Sequence, residues 1–198
     1  MIKAIAFDYG GVIEIKEGDL IRQITDYLEI TKDDWHKVYF SLNHLSNVGK
    51  HTWQEVLELT AKKLGASNTQ ISHIQKLISE NNETRRINLE LIEIIKDLKN
   101  KNYRIGLLSN NSVTLKQRLI DQNIIDLFDE IIISAEVGFQ KPQPEIFEIL
   151  FKKLSVNSNE VIFIDDTKQS LFNADNIGYV PLLFINNKEL KEELLKLL

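Results

Sequence analysis

The chain has 198 residues, and 24 Lys+Arg against 29 Asp+Glu leave a formal net charge of −5. That mild acidity argues against nucleic acid or an anionic membrane as the main partner. The absence of cysteine excludes a disulfide scaffold, a thiol nucleophile and a thiolate metal site. A carboxylate, Asp8, arrives too early for a signal-peptide core, and no apolar run approaches the roughly 18 residues of a membrane span. The expectation is a soluble, cytoplasmic globular protein.

Five short, dense apolar runs lie at 2–7, 103–108, 131–133, 161–164 and 179–185. Runs of this length read as strands covered on both faces, as in a parallel sheet. Between most of them the spacing is helical. Ile87, Leu91, Ile95 and Leu98 share one face, as do Ile146, Phe147, Leu150 and Leu154. Strand–helix alternation at this rhythm predicts an α/β fold with a doubly wound parallel sheet.

The stretch 14–86 has a different texture and no convincing strand. Four amphipathic helices are predicted, through Leu20–Leu28, Trp35–Leu42, Trp53–Leu64 and Ile71–Ile78. Thr31, Thr52 and Ser67 are candidate N-caps and Gly65 a C-cap. This predicts a small helical bundle inserted at 14–86 into a core domain made of 1–13 and 87–198. Short connections at 13–18 and 81–85 suggest a lid that gates solvent.

Chemistry-bearing residues fall where strands end, the edge at which open α/β sheets bind ligands. The first strand runs into Asp8-Tyr9-Gly10-Gly11. This reads either as a turn or as a carboxylate nucleophile with glycines that let the backbone approach a ligand. The strand at 103–108 ends in Ser109-Asn110-Asn111-Ser112, which suits a helix N-cap or a phosphate cradle. Lys141 precedes a helix opening at Pro142 or Pro144, where a cation opposes the helix dipole unless an anion sits in front of it. An exposed loop lysine is the alternative. Finally, 161–164 runs into Asp165-Asp166. Adjacent carboxylates repel unless a cation or donors offset them, and hard oxygen ligands suit Mg²⁺; a helix cap is the simpler reading.

In this order the elements resemble the four motifs of the haloacid dehalogenase-like (HAD) hydrolase superfamily. Phe7-Asp8-Tyr9-Gly10-Gly11-Val12 matches motif I, Leu108-Ser109-Asn110 motif II, Lys141-Pro142 motif III and Phe163-Ile164-Asp165-Asp166 motif IV. The helical insertion lies where that superfamily places its C1-type cap. The resemblance implies a HAD-like, Rossmannoid core and a Mg²⁺-dependent phosphatase acting on a small phosphorylated metabolite, as a monomer or homodimer. Asp8 would be the nucleophile of an aspartyl-phosphate intermediate. Asp8, Asp166 and the Gly10 carbonyl would hold Mg²⁺, with Asp165 acting behind them through a water or Lys141. Ser109, Asn110 and Lys141 would bind the phosphoryl group.

Gly10 departs from the family's usual second aspartate, which protonates the leaving group. An Asp-x-Gly motif I also resembles the branch of α-D-glucose-1-phosphate phosphatases. Three rivals remain: one is a catalytically weak or silent phosphate- or protein-binding module, argued by Gly10, and another a 2-haloacid dehalogenase, which needs no metal. A response-regulator receiver has a similar kit in a nearly reversed order. Glu14 and a cap histidine are candidate substitutes for the missing acid. Gly10 itself is expected to need a positive φ or a bare Cα. His36, His44, His51 and His73 lack ligand spacing for a metal.

Overall fold

In the computed structural model, which describes residues 1–198, the chain divides into two units. One combines Met1–Ile15 with Ile87–Leu198, and the other is Lys16–Arg86. In chain order the elements begin with β1 (Ala4–Phe7) and β2 (Glu14–Ile15). Five helices follow: α1 (Leu20–Leu28), α2 (Lys32–Leu42), α3 (His44–Asn47), α4 (Trp53–Lys63) and α5 (Asn68–Glu83). Next come β3 (Arg86–Ile87), α6 (Leu89–Asn100), β4 (Arg104–Ser109), α7 (Leu115–Asp121), β5 (Glu130–Ile133), α8 (Ser134–Val137) and α9 (Pro144–Leu154). The chain closes with β6 (Val161–Asp165), α10 (Lys168–Leu171), α11 (Ala174–Ile177), β7 (Val180–Leu183) and α12 (Asn187–Leu197).

The first unit is built on a five-stranded sheet in the order β5-β4-β1-β6-β7. Every pairing in it is parallel. The strands read as continuous apolar runs because both faces are covered. Ile5, Phe7, Ile105, Leu107, Ile162 and Ile164 point to one face, where Leu91, Ile95, Leu98, Leu115, Leu119 and Leu190 from α6, α7 and α12 join them. Ala4, Ala6, Leu108, Val161 and Phe163 point to the other, against Ile146, Phe147, Leu150 and Leu154 of α9. The centre of that second face is kept small. A Cβ at Gly106 would lie 3.0 Å from Leu150 Cδ1, 3.1 Å from Leu154 Cδ1 and 3.2 Å from the Ala6 Cβ, so glycine there lets α9 sit close on the sheet. Phe147 adds aromatic packing, edge-on to Phe163 at 5.3 Å and stacked on Tyr179 at 4.8 Å between ring centroids.

The second unit has its own core of Leu20, Ile24, Trp35, Leu57, Ala61, Ile71, Ile74 and Ile78. Its helix starts are chemically specified. Asp34 N donates to Thr31 Oγ1 at α2, and capping boxes pair Thr52 with Glu55 at α4 and Ser67 with Gln70 at α5. The sequence reading differs here in two respects. The one-turn helix α3 raises the predicted four helices to five; a single turn is too short to show a periodic apolar stripe. The two-residue strands β2 and β3, which pair as a separate two-stranded sheet, are also below what alternation can reveal.

Candidate active site

The strand order reverses direction at β1. From β1 the chain builds outward through β4 to β5, then returns to add β6 and β7 on the opposite side. The carboxyl ends of β4, β1 and β6 therefore lie side by side at a topological switch point. Phe7 is in register with Leu107 and Ile164, and Asp8 N donates to the Ile164 carbonyl, so Asp8 lies level with Asp165. One loop brings in Lys141 from the side. Its Nζ lies 2.8 Å from Asp8 Oδ1 and 2.5 Å from Asp165 Oδ2, and 5.1 Å from the centroid of Phe163. Lys141 is buried, so the exposed-loop alternative is overturned. Its helix opens at Pro144, three residues on.

The electrostatics are unbalanced. Ligand oxygens of Asp8, Asp165 and Asp166 all lie within 4.8 Å of one another, and Lys141 is the one cation paired with the first two. Burial pushes the Asp8 carboxyl up to about 6; Lys141 opposes this and Asp165 adds to it. The Asp166 carboxyl is likewise raised, first by burial and then by Asp165. Burial alone would lower the Lys141 ammonium, but the two carboxylates together hold it above its ordinary value. Three carboxylates facing one ammonium leave excess negative charge, and an all-oxygen donor set of this kind fits a hard divalent cation such as Mg²⁺.

Backbone detail shows which glycine the loop requires. Gly11 has φ +81°, and a Cβ on it would lie 2.2 Å from Asp166 Oδ2; its bare Cα makes room for that carboxylate. Gly10 has no such constraint. Its φ lies outside the left-handed region and a Cβ there would meet nothing within 4 Å, which corrects the expectation of strain at Gly10. The turn is closed by Gly11 N to the Glu14 carbonyl and by Ile13 N and Glu14 N to the Tyr9 carbonyl, at 2.8–2.9 Å.

After β4, Ser109 is buried at the strand end. The Asn110 side chain is engaged with the next loop. Its Oδ1 accepts from Lys141 N at 2.8 Å and its Nδ2 donates to the Lys141 carbonyl at 3.1 Å, fixing the backbone that carries the ammonium. Asp165 is similarly held: Oδ1 accepts from Thr167 N at 2.8 Å while Oδ2 meets Lys141. The structure thus brings Asp8, Lys141, Asp165 and Asp166 into one cluster.

A family model for haloacid dehalogenase-like hydrolases matches residues 2–169. The chain belongs to this family. Among curated relatives of this HAD-like hydrolase is the Rattus norvegicus bifunctional epoxide hydrolase 2, 26% identical over 98% of the chain; the chain spans only 38% of that protein's length. A D-ribitol-5-phosphate phosphatase from Bacteroides thetaiotaomicron is 26% identical, with 98% of this chain and 97% of that one covered. In fold, it is similar to a crystallised HAD-family enzyme from Bacteroides thetaiotaomicron, with a TM-score of 0.68 at 19% identity and 98% of each chain covered. A crystal structure of that enzyme in complex with magnesium and inorganic phosphate gives a TM-score of 0.64 at 20% identity, over 96% and 99% of the two chains.

Sequence reasoning missed a polar network beside the cluster of this HAD-like hydrolase. Glu14 is buried; its Oε1 accepts from the Tyr9 hydroxyl at 2.9 Å and lies 3.5 Å from Arg118 Nη1. A carboxylate engaged in this way is not free to serve as the substitute acid. Arg118 Nη2 donates to Asn111 Oδ1 at 2.8 Å, and Asn111 N donates to Ser134 Oγ at 3.0 Å. Burial and the Glu14 charge push the Tyr9 hydroxyl up to about 12, keeping it a donor at neutral pH.

Proposed function

We propose that this HAD-like hydrolase is a Mg²⁺-dependent phosphatase of small phosphorylated metabolites, working through an aspartyl-phosphate on Asp8. The observation that carries the reading is the pairing of buried Asp8 with Lys141 at 2.8 Å, at the sheet's carboxyl edge beside Asp165 and Asp166. A phosphatase relative of nearly equal length supports a phosphorylated substrate. The Asp8 and Asp166 carboxylates and the Gly10 carbonyl would hold Mg²⁺, which when bound supplies Lewis-acid stabilisation of phosphoryl charge.

An Asp8 carboxylate oxygen attacks phosphorus, forming an O–P bond as the ester P–O bond breaks. The main obstacle is repulsion between two anions, and the Lys141 ammonium offsets it at both the nucleophile and the incoming phosphate. Ser109 and the Asn110 backbone amide hold phosphoryl oxygens, while the Asn110 side chain fixes Lys141. Asp165 orients the ammonium from behind. Without a carboxyl at residue 10, the leaving oxygen departs as an anion and takes its proton from solvent. Water then attacks phosphorus, the Asp8–phosphoryl bond breaks, and free phosphate and the Asp8 carboxylate are released.

The domain reading is a helical cap at 14–86 of the C1 type, and the Asp-x-Gly motif resembles the α-D-glucose-1-phosphate phosphatase branch. Gly10 also favours a second reading, a silent module that retains phosphate without hydrolysing it. The acid cluster counts against a 2-haloacid dehalogenase, since displacement at carbon needs no cation. The test is a hydrolysis panel of an aryl phosphate and small metabolite phosphates, with and without Mg²⁺. Metal-dependent release of phosphate supports the first reading. No hydrolysis, with retention of inorganic phosphate, supports the second.

A further inference from the structure

The Asp8 loop and the Ser109–Asn111 loop come from strands far apart in sequence, yet a single guanidinium joins them. Arg118 stands on α7 with its fork aimed inward: Nη2 donates to Asn111 Oδ1 at 2.8 Å and Nη1 faces Glu14 Oε1 at 3.5 Å. Its guanidinium carbon lies 5.1 Å from the Tyr9 ring centroid, and its Nε is buried with no hydrogen-bond partner. Tyr9 lies between Asp8 and Gly10 and is 1% exposed. Its hydroxyl has one proton to share between Glu14 Oε1 at 2.9 Å and Gln122 Oε1 at 3.1 Å. The charged oxygen is the stronger acceptor.

We infer that Arg118 is a positioning residue, which sets the Asp8–Gly11 loop against the Ser109–Asn111 loop through Glu14, Tyr9 and Asn111. The inference rests on the phosphatase reading of the cluster. Its physical basis is geometric. Tyr9 is pinned by ring and hydroxyl, so the peptide groups on either side of it, those of Asp8 and Gly10, are fixed together. Asn111 lies two residues from Ser109, so the same guanidinium fixes the loop that faces the phosphoryl group. A planar two-armed fork can do this with separate nitrogens held at a fixed spread; an ammonium offers a single nitrogen without that spread. Catalysis by alignment is steep, with a misplacement of about 1 Å costing on the order of 10²-fold.

Removing Arg118 alone would strand a buried carboxylate and destabilise the fold for reasons unrelated to position. The experiment therefore compares Arg118→Met, Arg118→Lys and the double variant Glu14→Gln/Arg118→Met, which leaves no unpaired charge. Three readouts are taken: melting temperature, kcat and KM for an aryl phosphate with Mg²⁺, and amide hydrogen exchange over residues 9–14 and 109–112. The double variant is expected to recover most of the melting temperature lost in Arg118→Met. Its kcat should remain at least about tenfold below wild type with little change in KM, and both loops should exchange faster. Arg118→Lys should fall between. A double variant with wild-type melting, kcat and loop exchange overturns the inference. If the wild type shows no metal-dependent hydrolysis, the phosphatase reading fails instead. Loop exchange then decides alone, and unchanged protection at both loops in the double variant rejects the positioning role.

Discussion

Gly10→Asp is the substitution that most sharply separates an enzyme lacking an acid from one that has replaced it. A Cβ at Gly10 meets nothing within 4 Å and the backbone there is ordinary, so a side chain can begin there without displacing a neighbour. Replacing a glycine in such a conformation even gains about 0.4–1 kcal/mol by restricting the unfolded chain. Against this stands repulsion from Asp8, Asp165 and Asp166, whose ligand oxygens cluster within 4.8 Å. Repulsion of that kind raises a carboxyl's pKa, which favours the protonated form an acid needs. General acid catalysis contributes typically 10²–10⁴-fold. An acid with no packing partners should reach the lower end, about 10²-fold, or roughly 2.7 kcal/mol of barrier. The assay is turnover of matched alkyl and aryl phosphates with Mg²⁺, with melting checked first. Wild type should favour aryl esters and lose rate as leaving-group basicity rises. Gly10→Asp should raise the alkyl rate and flatten that dependence. A wild type equally fast on both ester types, or a folded Gly10→Asp with an unchanged alkyl rate, would refute the reasoning.

Gly11→Ala should behave oppositely: its Cβ falls 2.2 Å from Asp166 Oδ2 at φ +81°, so Mg²⁺ affinity by calorimetry should drop at least about tenfold. Asp166→Asn should weaken Mg²⁺ binding sharply while the melting temperature of the metal-free protein holds or rises, since burial and Asp165 disfavour this charge. Mg²⁺ affinity should also fall as pH drops through about 6. There Asp8 takes up a proton that competes with the cation, whereas an ordinary aspartate would ionise until near 4. A flat affinity from pH 7 to 5 would contradict that environment for Asp8. Lys141→Met should cost about 3–5 kcal/mol in denaturant unfolding, because it strands two buried carboxylates. A loss below 1 kcal/mol would mean that the pair is solvated.

The parallel sheet was legible because both its faces are buried, which turns each strand into an apolar run that ends abruptly in a polar residue. Asp8, Ser109 and Asp165 stand at those abrupt ends, and Lys141 stood out by opposing a helix dipole. What stayed hidden depends on tertiary pairing. Nothing in the sequence marks Arg118, and Glu14 reads only as a candidate acid; folding alone brings the two within 3.5 Å across a separation of 104 residues. The two adjacent glycines could not be told apart either, because the requirement at Gly11 comes from Asp166, far away in sequence. Asn110 reads as a phosphate cradle through its backbone amide; that its side chain also grips the Lys141 backbone comes only from tertiary pairing. The one-turn α3 and the two-residue strands fall below the length at which periodicity carries information.

Trapping the covalent adduct would decide whether Asp8 is the nucleophile. Wild-type protein is mixed with an aryl phosphate and Mg²⁺, quenched rapidly, reduced with borohydride and digested for mass spectrometry. An acyl phosphate on an aspartate is reduced to homoserine, so the peptide carrying residue 8 should show that conversion. The signal should require both Mg²⁺ and substrate and vanish in Asp8→Asn. Phosphate release that persists in Asp8→Asn, or steady turnover with the conversion found at another residue, would contradict the assignment of Asp8.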